Sequence, residues 1–163
     1  MDEIKLIPAT SNDIEQISQL ATVIWNQYYP NIIGQTQVDY MLGKMYSRAS
    51  LQEQLEVKKH QFYLIQFKSN NVGFISVNED NKGEWFLNKF YINQTLSAKG
   101  IGSKTFEEVL KIIRPNKITL TVNRGNYKSI NFYFKMRFRI KETAVFDIGN
   151  GFVMDDFVMC WIK

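Results

Sequence analysis

The hydrophobic period changes once, near residue 61, and that change narrows the fold more than any other feature of the chain. Before it, apolar residues recur at helical spacing. Ile14, Ile17, Leu20, Ala21, Ile24, Trp25 and Tyr28 fall on one face of a helix spanning 11–29. Thr10 offers an N-cap oxygen and Asp13 an acidic partner three residues on. Ile4-Lys5-Leu6-Ile7, stopped by Pro8, reads as a short first strand. Pro30 and Gly34 close the helix. Residues 36–58 read as helical again, broken between Tyr46 and Ser50, with Ser50 capping the second piece. Rich in polar and aromatic residues (Tyr40, Met41, Met45, Tyr46), these segments are expected to cover something rather than form a core layer.

After residue 61 the pattern is that of strands. Phe62–Phe67 and Val72–Val77 flank a hairpin turn at Ser69-Asn70-Asn71, and a turn at 78–83 leads into a strand over 84–92. A helix over 100–113 ends at Pro115. Then come a strand (118–122), a helix (126–135) and two strands (138–142 and 152–162). The order β-α-α-β-β-β-α-β-α-β-β places crossover helices only after the fourth strand. The expected class is α/β (α+β): a mixed, mostly antiparallel sheet of about seven strands flanked by about four helices. The length, 163 residues, suits one domain of the usual size, roughly 100 to 200 residues, so 1–163 is read as a single unit.

Composition excludes several chemistries. A 45% hydrophobic, 14% aromatic chain has ample material for a core. One cysteine, Cys160, allows no internal disulfide, and one histidine, His60, leaves no zinc-ligand spacing, so no metal is expected. Cys160 lies in the apolar run Phe157–Trp161 and reads as core; His60, beside Lys58 and Lys59, reads as a surface loop residue. No stretch approaches the roughly 18 apolar residues of a membrane span, and the chain opens on Asp2 and Glu3, so a cytoplasmic, membrane-free protein is expected. The net charge of +4 is unevenly spread. Residues 1–60 hold five basic and seven acidic side chains, and residues 61–163 fifteen and nine. An anionic ligand on the second part would suit that split, as would solubility alone.

The sharpest local feature is Ser97-Ala98-Lys99-Gly100-Ile101-Gly102-Ser103-Lys104, between a strand and a helix. Two glycines there let backbone N–H groups line a concave turn at a helix N-terminus, which favours an anion. The same glycines also occur in turns for geometry alone. The Walker spacing is absent, and a dinucleotide fingerprint would need glycine at Thr105 and a place after the first strand.

The turn, its place after the fourth strand and the segment Asn126-x-x-Ser129-x-x-x-Tyr133-x-Lys135-x-x-Phe138 together resemble the GNAT superfamily of N-acetyltransferases. Ser97 stands where the family's turn has Gln or Arg, and Arg137 where its second segment has Gly. Within the superfamily the chain is most similar to bacterial polyamine (spermidine/spermine) acetyltransferases of the Pai type. That likeness rests on Trp25-Asn26 with Tyr29, on Tyr40, Gly73-Phe74 and Phe132–Met136, and on Phe146-x-Ile148-Gly149 with Asp156–Met159. The resemblance implies the acyl-CoA N-acyltransferase fold and an enzyme moving the acetyl group of acetyl-CoA to a primary amine in a ternary complex. The acceptor would be a polyamine such as spermidine, or else a protein N-terminus or another small amine. It assigns residues 1–60 to the acceptor and 61–163 to acetyl-CoA, with dimers common among similar proteins.

The resemblance also places the chemistry. Phe90, Tyr91 and Ile92, the turn residues Ser97, Ala98, Lys99, Gly100, Ile101, Gly102 and Ser103, and Asn126, Ser129, Tyr133 and Lys135 would hold the cofactor. Tyr133 would be the general acid to the CoA sulfur, since a phenol donates a proton without prior charge; a core tyrosine beside Phe132 and Phe134 is the alternative. Many relatives carry a base where Phe86 stands here; Glu84, two residues away and on the same strand face, could serve through water, or water alone. Trp25, Tyr29 and Tyr40 would meet the amine, or simply pack. Two further readings stand beside this one: a silent acetyl-CoA binder, and a nucleic-acid module built on Arg124, Lys128, Lys135, Arg137, Arg139 and Lys141 among aromatics.

Overall fold

A computed structural model describes residues 3–163, with the backbone alone at 97–99. Seven strands form one sheet: β1 (Ile4–Pro8), β2 (Gln61–Phe67), β3 (Asn70–Asn81), β4 (Glu84–Ile92), β5 (Lys117–Asn123), β6 (Arg139–Gly149) and β7 (Phe152–Ile162). Their spatial order is β1-β2-β3-β4-β5-β7-β6, antiparallel throughout except where β4 meets β5. Among the described residues no helix is long and apolar enough to cross a membrane.

Helices cover both faces. On one lie α1 (Ile14–Tyr28), α2 (Pro30–Ile33), α3 (Gln35–Tyr46) and α4 (Arg48–Gln52); on the other, α5 (Ile101–Ile113) and α6 (Tyr127–Lys135). The α5–α6 face buries Phe106, Val109 and Phe138 against Ile75, Leu87, Leu120 and Met159. The α1–α4 face buries Ile17, Trp25, Val38 and Leu51 against Phe62 and Phe74. Residues 36–58 therefore include a core layer and are not a mere cover: Val38 and Leu51 are fully buried.

Local chemistry explains the element ends, including those the sequence placed differently. Thr10 and Asp13 form the expected capping box, Thr10 N donating to Asp13 Oδ2 at 2.8 Å. Pro30 opens α2 at its first position instead of closing α1, where a missing N–H does no harm. Ser47, not Ser50, caps α4, its Oγ accepting from Ser50 N at 3.2 Å. The β2–β3 turn is Lys68-Ser69, both at positive φ, one position earlier than expected. β6 runs on to Gly149 because residues 143–149 are an exposed edge whose composition shows no buried face.

Candidate active site

β4 and β5 pair over three positions only, Glu84–Phe86 against Lys117–Thr119. Beyond Phe86 the strands part, so the β5-facing edge of β4 carries backbone groups with no strand opposite. A bulge deepens the irregularity: Lys89 pairs with Ser76 and Leu87 with Val77, leaving Asn88 as the extra residue. Asn88 Nδ2 donates to Asn78 Oδ1 at 2.7 Å. Strict alternation would put Lys89 beside Leu87 in the α5–α6 core. The bulge turns it to the other face, where its ammonium lies 5.2 Å from the Tyr46 ring centroid. Burial, with Lys58 adding, lowers the Lys89 pKa to about 8.

Two cavities open where the strands part. The first, about 100 Å³, lies beneath α1–α3 and is bordered by Trp25, Tyr29, Tyr91, Asn126, Tyr133 and Asp156, among others. The second, about 120 Å³, lies beside α5 and α6 and is bordered by Phe90, Ile92, Gly102, Lys128, Ser129, Phe132 and Tyr133. Phe90, Ser129 and Tyr133 border both, so Tyr133 stands at the junction. Burial, with Tyr29 adding, holds its phenol above the ordinary tyrosine range, protonated and able to donate. Phe132 and Phe138 hold the ring edge-on, with centroids 5.4 Å away in each case.

The first cavity is aromatic on its helical side. Trp25 stacks on Tyr29 at 4.4 Å, and Tyr91 lies 5.7 Å from Trp25. Burial pushes the Tyr29 phenol up to about 12, partly opposed by hydrogen bonding to Tyr91 and Asn126. Trp25 and Tyr29 both border this cavity. Tyr40 does not: its hydroxyl donates to the Ile148 carbonyl at 2.6 Å and its ring packs on Phe152, tying α3 to the β6–β7 hairpin.

The remaining expected residues divide similarly. Gly100 takes a left-handed conformation at the start of α5 (φ 72°), and among the described residues no side chain caps that helix. Its first-turn N–H groups are therefore available to an anion. A Cβ on Gly102 would meet the Phe132 ring at 3.1 Å and narrow the second cavity. Ile101 is core, and Ser103 is half-buried in the first turn of α5. Ser97, Ala98 and Lys99 have side chains outside the described residues. Asn126 is buried and its side chain engaged: Oδ1 accepts from Ser129 N, capping α6, while Nδ2 donates to the Tyr29 hydroxyl. Lys135 is exposed and borders neither cavity.

Glu84 also lies away from both cavities, at the closed end of the β4–β5 pair, with Lys117 Nζ 3.8 Å from its Oε1. The carboxylate that does border the first cavity is Asp156, unassigned from sequence. It is 1% exposed, and burial, with Asp155 adding and the Thr121 hydroxyl opposing, raises its pKa to about 6. Its sequence signal was Asp155-Asp156 inside an apolar final strand: alternation must send one of the two inward. Of the basic-aromatic segment, Arg124 is ion-paired with Asp155 and Arg139 bonds the Phe138 carbonyl.

Residues 20–138 match the Acetyltransferase (GNAT) family. The chain is 24% identical over 151 residues to a spermidine N(1)-acetyltransferase of Thermoplasma acidophilum, covering 88% of this chain and 90% of that one. Its fold resembles the crystal structure of PaiA N-acetyltransferase from Thermoplasma acidophilum in complex with coenzyme A, with TM-score 0.83, 21% identity and 99% of each chain covered. It likewise resembles a GCN5-related N-acetyltransferase from Rhodopseudomonas palustris, with TM-score 0.81 and 13% identity over 100% of this chain and 96% of that one.

Proposed function

The chain belongs to the GNAT family of acetyltransferases, and from that premise we propose that it acetylates a primary alkylamine of the polyamine class with Tyr133 as general acid. The co-substrate is acetyl-CoA. The meeting of two cavities at Tyr133 carries the proposal, because a transferase must bring two ligands to one atom from different sides. The second cavity suits the CoA arm: the uncapped start of α5 favours its phosphates, and the unpaired edge of β4 can bond an extended amide chain as a further strand would. The first cavity suits the amine. Its aromatic faces attract a cation, and a 24% identical relative is a spermidine acetyltransferase.

Chemistry follows from these placements. The amine nitrogen attacks the thioester carbonyl, whose developing oxyanion backbone N–H groups of Phe90–Ile92 would hold. As the carbon–sulfur bond breaks, Tyr133 gives its proton to the thiolate, and the proton leaving the nitrogen restores the phenol through solvent. We read residues 1–60 as the main acceptor side and 61–163 as the CoA side of one catalytic domain, with a cytoplasmic setting in keeping with the free Cys160. Free-thiol release from acetyl-CoA, measured against polyamines, amino acids, aminoglycosides and peptide N-termini, tests the proposal. Turnover with polyamines above the other amines is expected; no turnover with any amine would sink it.

A further inference from the structure

Strand β7 carries two adjacent carboxylates that alternation sends to opposite faces. Asp155 goes outward to an ion pair with Arg124. Asp156 goes inward, opposite Asn123 on β5, into the wall of the first cavity. Among the described residues, neither Asp156 oxygen makes a well-formed hydrogen bond, the Thr121 hydroxyl being the one neighbour that favours its charge, although the side chain is almost completely buried. Such a group is costly unless a cation arrives to meet it.

The groups facing it say what kind of cation fits. Tyr29 from α1, Tyr91 and Lys89 from β4, and Tyr133 from α6 border the same cavity. Buried, raised phenols remain neutral near pH 7, and Lys89 directs its ammonium toward Tyr46, so Asp156 has no charged partner of its own there. Met41, Met45 and Met154 also line it, beside polar Gln37, Asn88, Thr121 and Asn123, and give an adaptable apolar wall for a methylene chain.

Resting on the acetyltransferase reading above, we propose that Asp156 seats the reactive ammonium of the acceptor and takes its first proton. The step balances: R–NH₃⁺ gives one proton to Asp156, and the neutral amine then attacks the thioester carbon. The C–S bond breaks, the thiolate receives Tyr133's proton, and the second nitrogen proton returns to the phenol. Protonated Asp156 then releases its proton to solvent. The acceptor class is an unbranched primary alkylamine. An α-amino acid brings a carboxylate that Asp156 would repel.

Asp156→Asn and Asp156→Glu test this, with spermidine, acetyl-CoA and thiol release followed from pH 5.5 to 9. D156N is expected to lower kcat/KM for spermidine at least about 100-fold at pH 7 while leaving acetyl-CoA affinity within about threefold. The wild-type profile should rise through a group near pH 6. D156N should lack that limb, and D156E should regain part of the activity with the limb. A second readout separates chemistry from structure. Because the carboxyl is harder to ionise in the fold, wild-type stability falls as pH rises from about 3.8 to about 6 and stays lowered above, so D156N should melt higher by about 5 °C at pH 8 and no higher at about pH 3. A wild type that releases no thiol with any amine overturns the acetyltransferase reading and this proposal with it. An active wild type with an equally active D156N overturns this proposal alone, as does a D156N that is less stable than wild type at pH 8.

Discussion

The Tyr28 hydroxyl donates to Asn126 Oδ1 at 2.8 Å, joining the end of α1 to the start of α6 across 98 positions of sequence. The same oxygen caps α6 through Ser129 N, and the same side chain's Nδ2 reaches the Tyr29 hydroxyl at 3.3 Å. One buried amide thus ties α1 to the helix that carries Tyr133. Asn126→Ala removes a cap and the hydrogen bonds to the Tyr28 and Tyr29 hydroxyls, a loss of about 1 to 2 kcal/mol. Denaturant unfolding should show it as a lower midpoint at unchanged slope.

Tyr133→Phe keeps the ring packed on Phe132 and Phe138 and removes only the phenol hydroxyl proposed to donate the proton. Turnover should fall at least about tenfold while acetyl-CoA affinity stays within about threefold. Calorimetric titration beside steady-state kinetics separates the two. Unaltered turnover would remove Tyr133 from the mechanism.

Glu84→Gln should leave turnover within about twofold, since the side chain sits with Lys117 at the closed end of the β4–β5 pair. A loss of activity comparable to that expected for D156N would return the base to β4.

Lys89 offers a test by pH. Its folded pKa, about 8, lies below the ordinary lysine value, so holding the charge costs the fold stability below pH 8 and the cost fades as pH climbs toward 10.5. Lys89→Met keeps the aliphatic stem and drops the ammonium. It should be more stable than wild type by about 2 to 3 kcal/mol at pH 7, with the gap closing near pH 10.5.

The element order was readable because each helix and each buried strand repeats its apolar residues at its own period: Ile14 to Tyr28 at one spacing, Phe62 to Ile92 at another. The glycine turn was readable because a left-handed residue such as Gly100 before a helix leaves few choices of side chain. Asn88 was not, because one inserted residue leaves apolar neighbours on both sides and the reversal of face appears only against β3. Glu84 and Tyr40 were assigned through the family resemblance; in the structure Lys117 lies beside Glu84 and Tyr40 donates to the Ile148 carbonyl, contacts no local pattern shows. Asp156 lay hidden in an apolar strand, since no local rule tells which of two adjacent carboxylates turns inward; pairing with β5 decides it.

The most direct test of acetyl transfer between the two cavities is mass spectrometry of spermidine incubated with the protein and acetyl-CoA. The account predicts spermidine carrying one acetyl group on a primary amine, formed in equal amount with free CoA thiol. Thiol released without acetylated amine, or acetyl-CoA left unconsumed beside a folded protein, would contradict it.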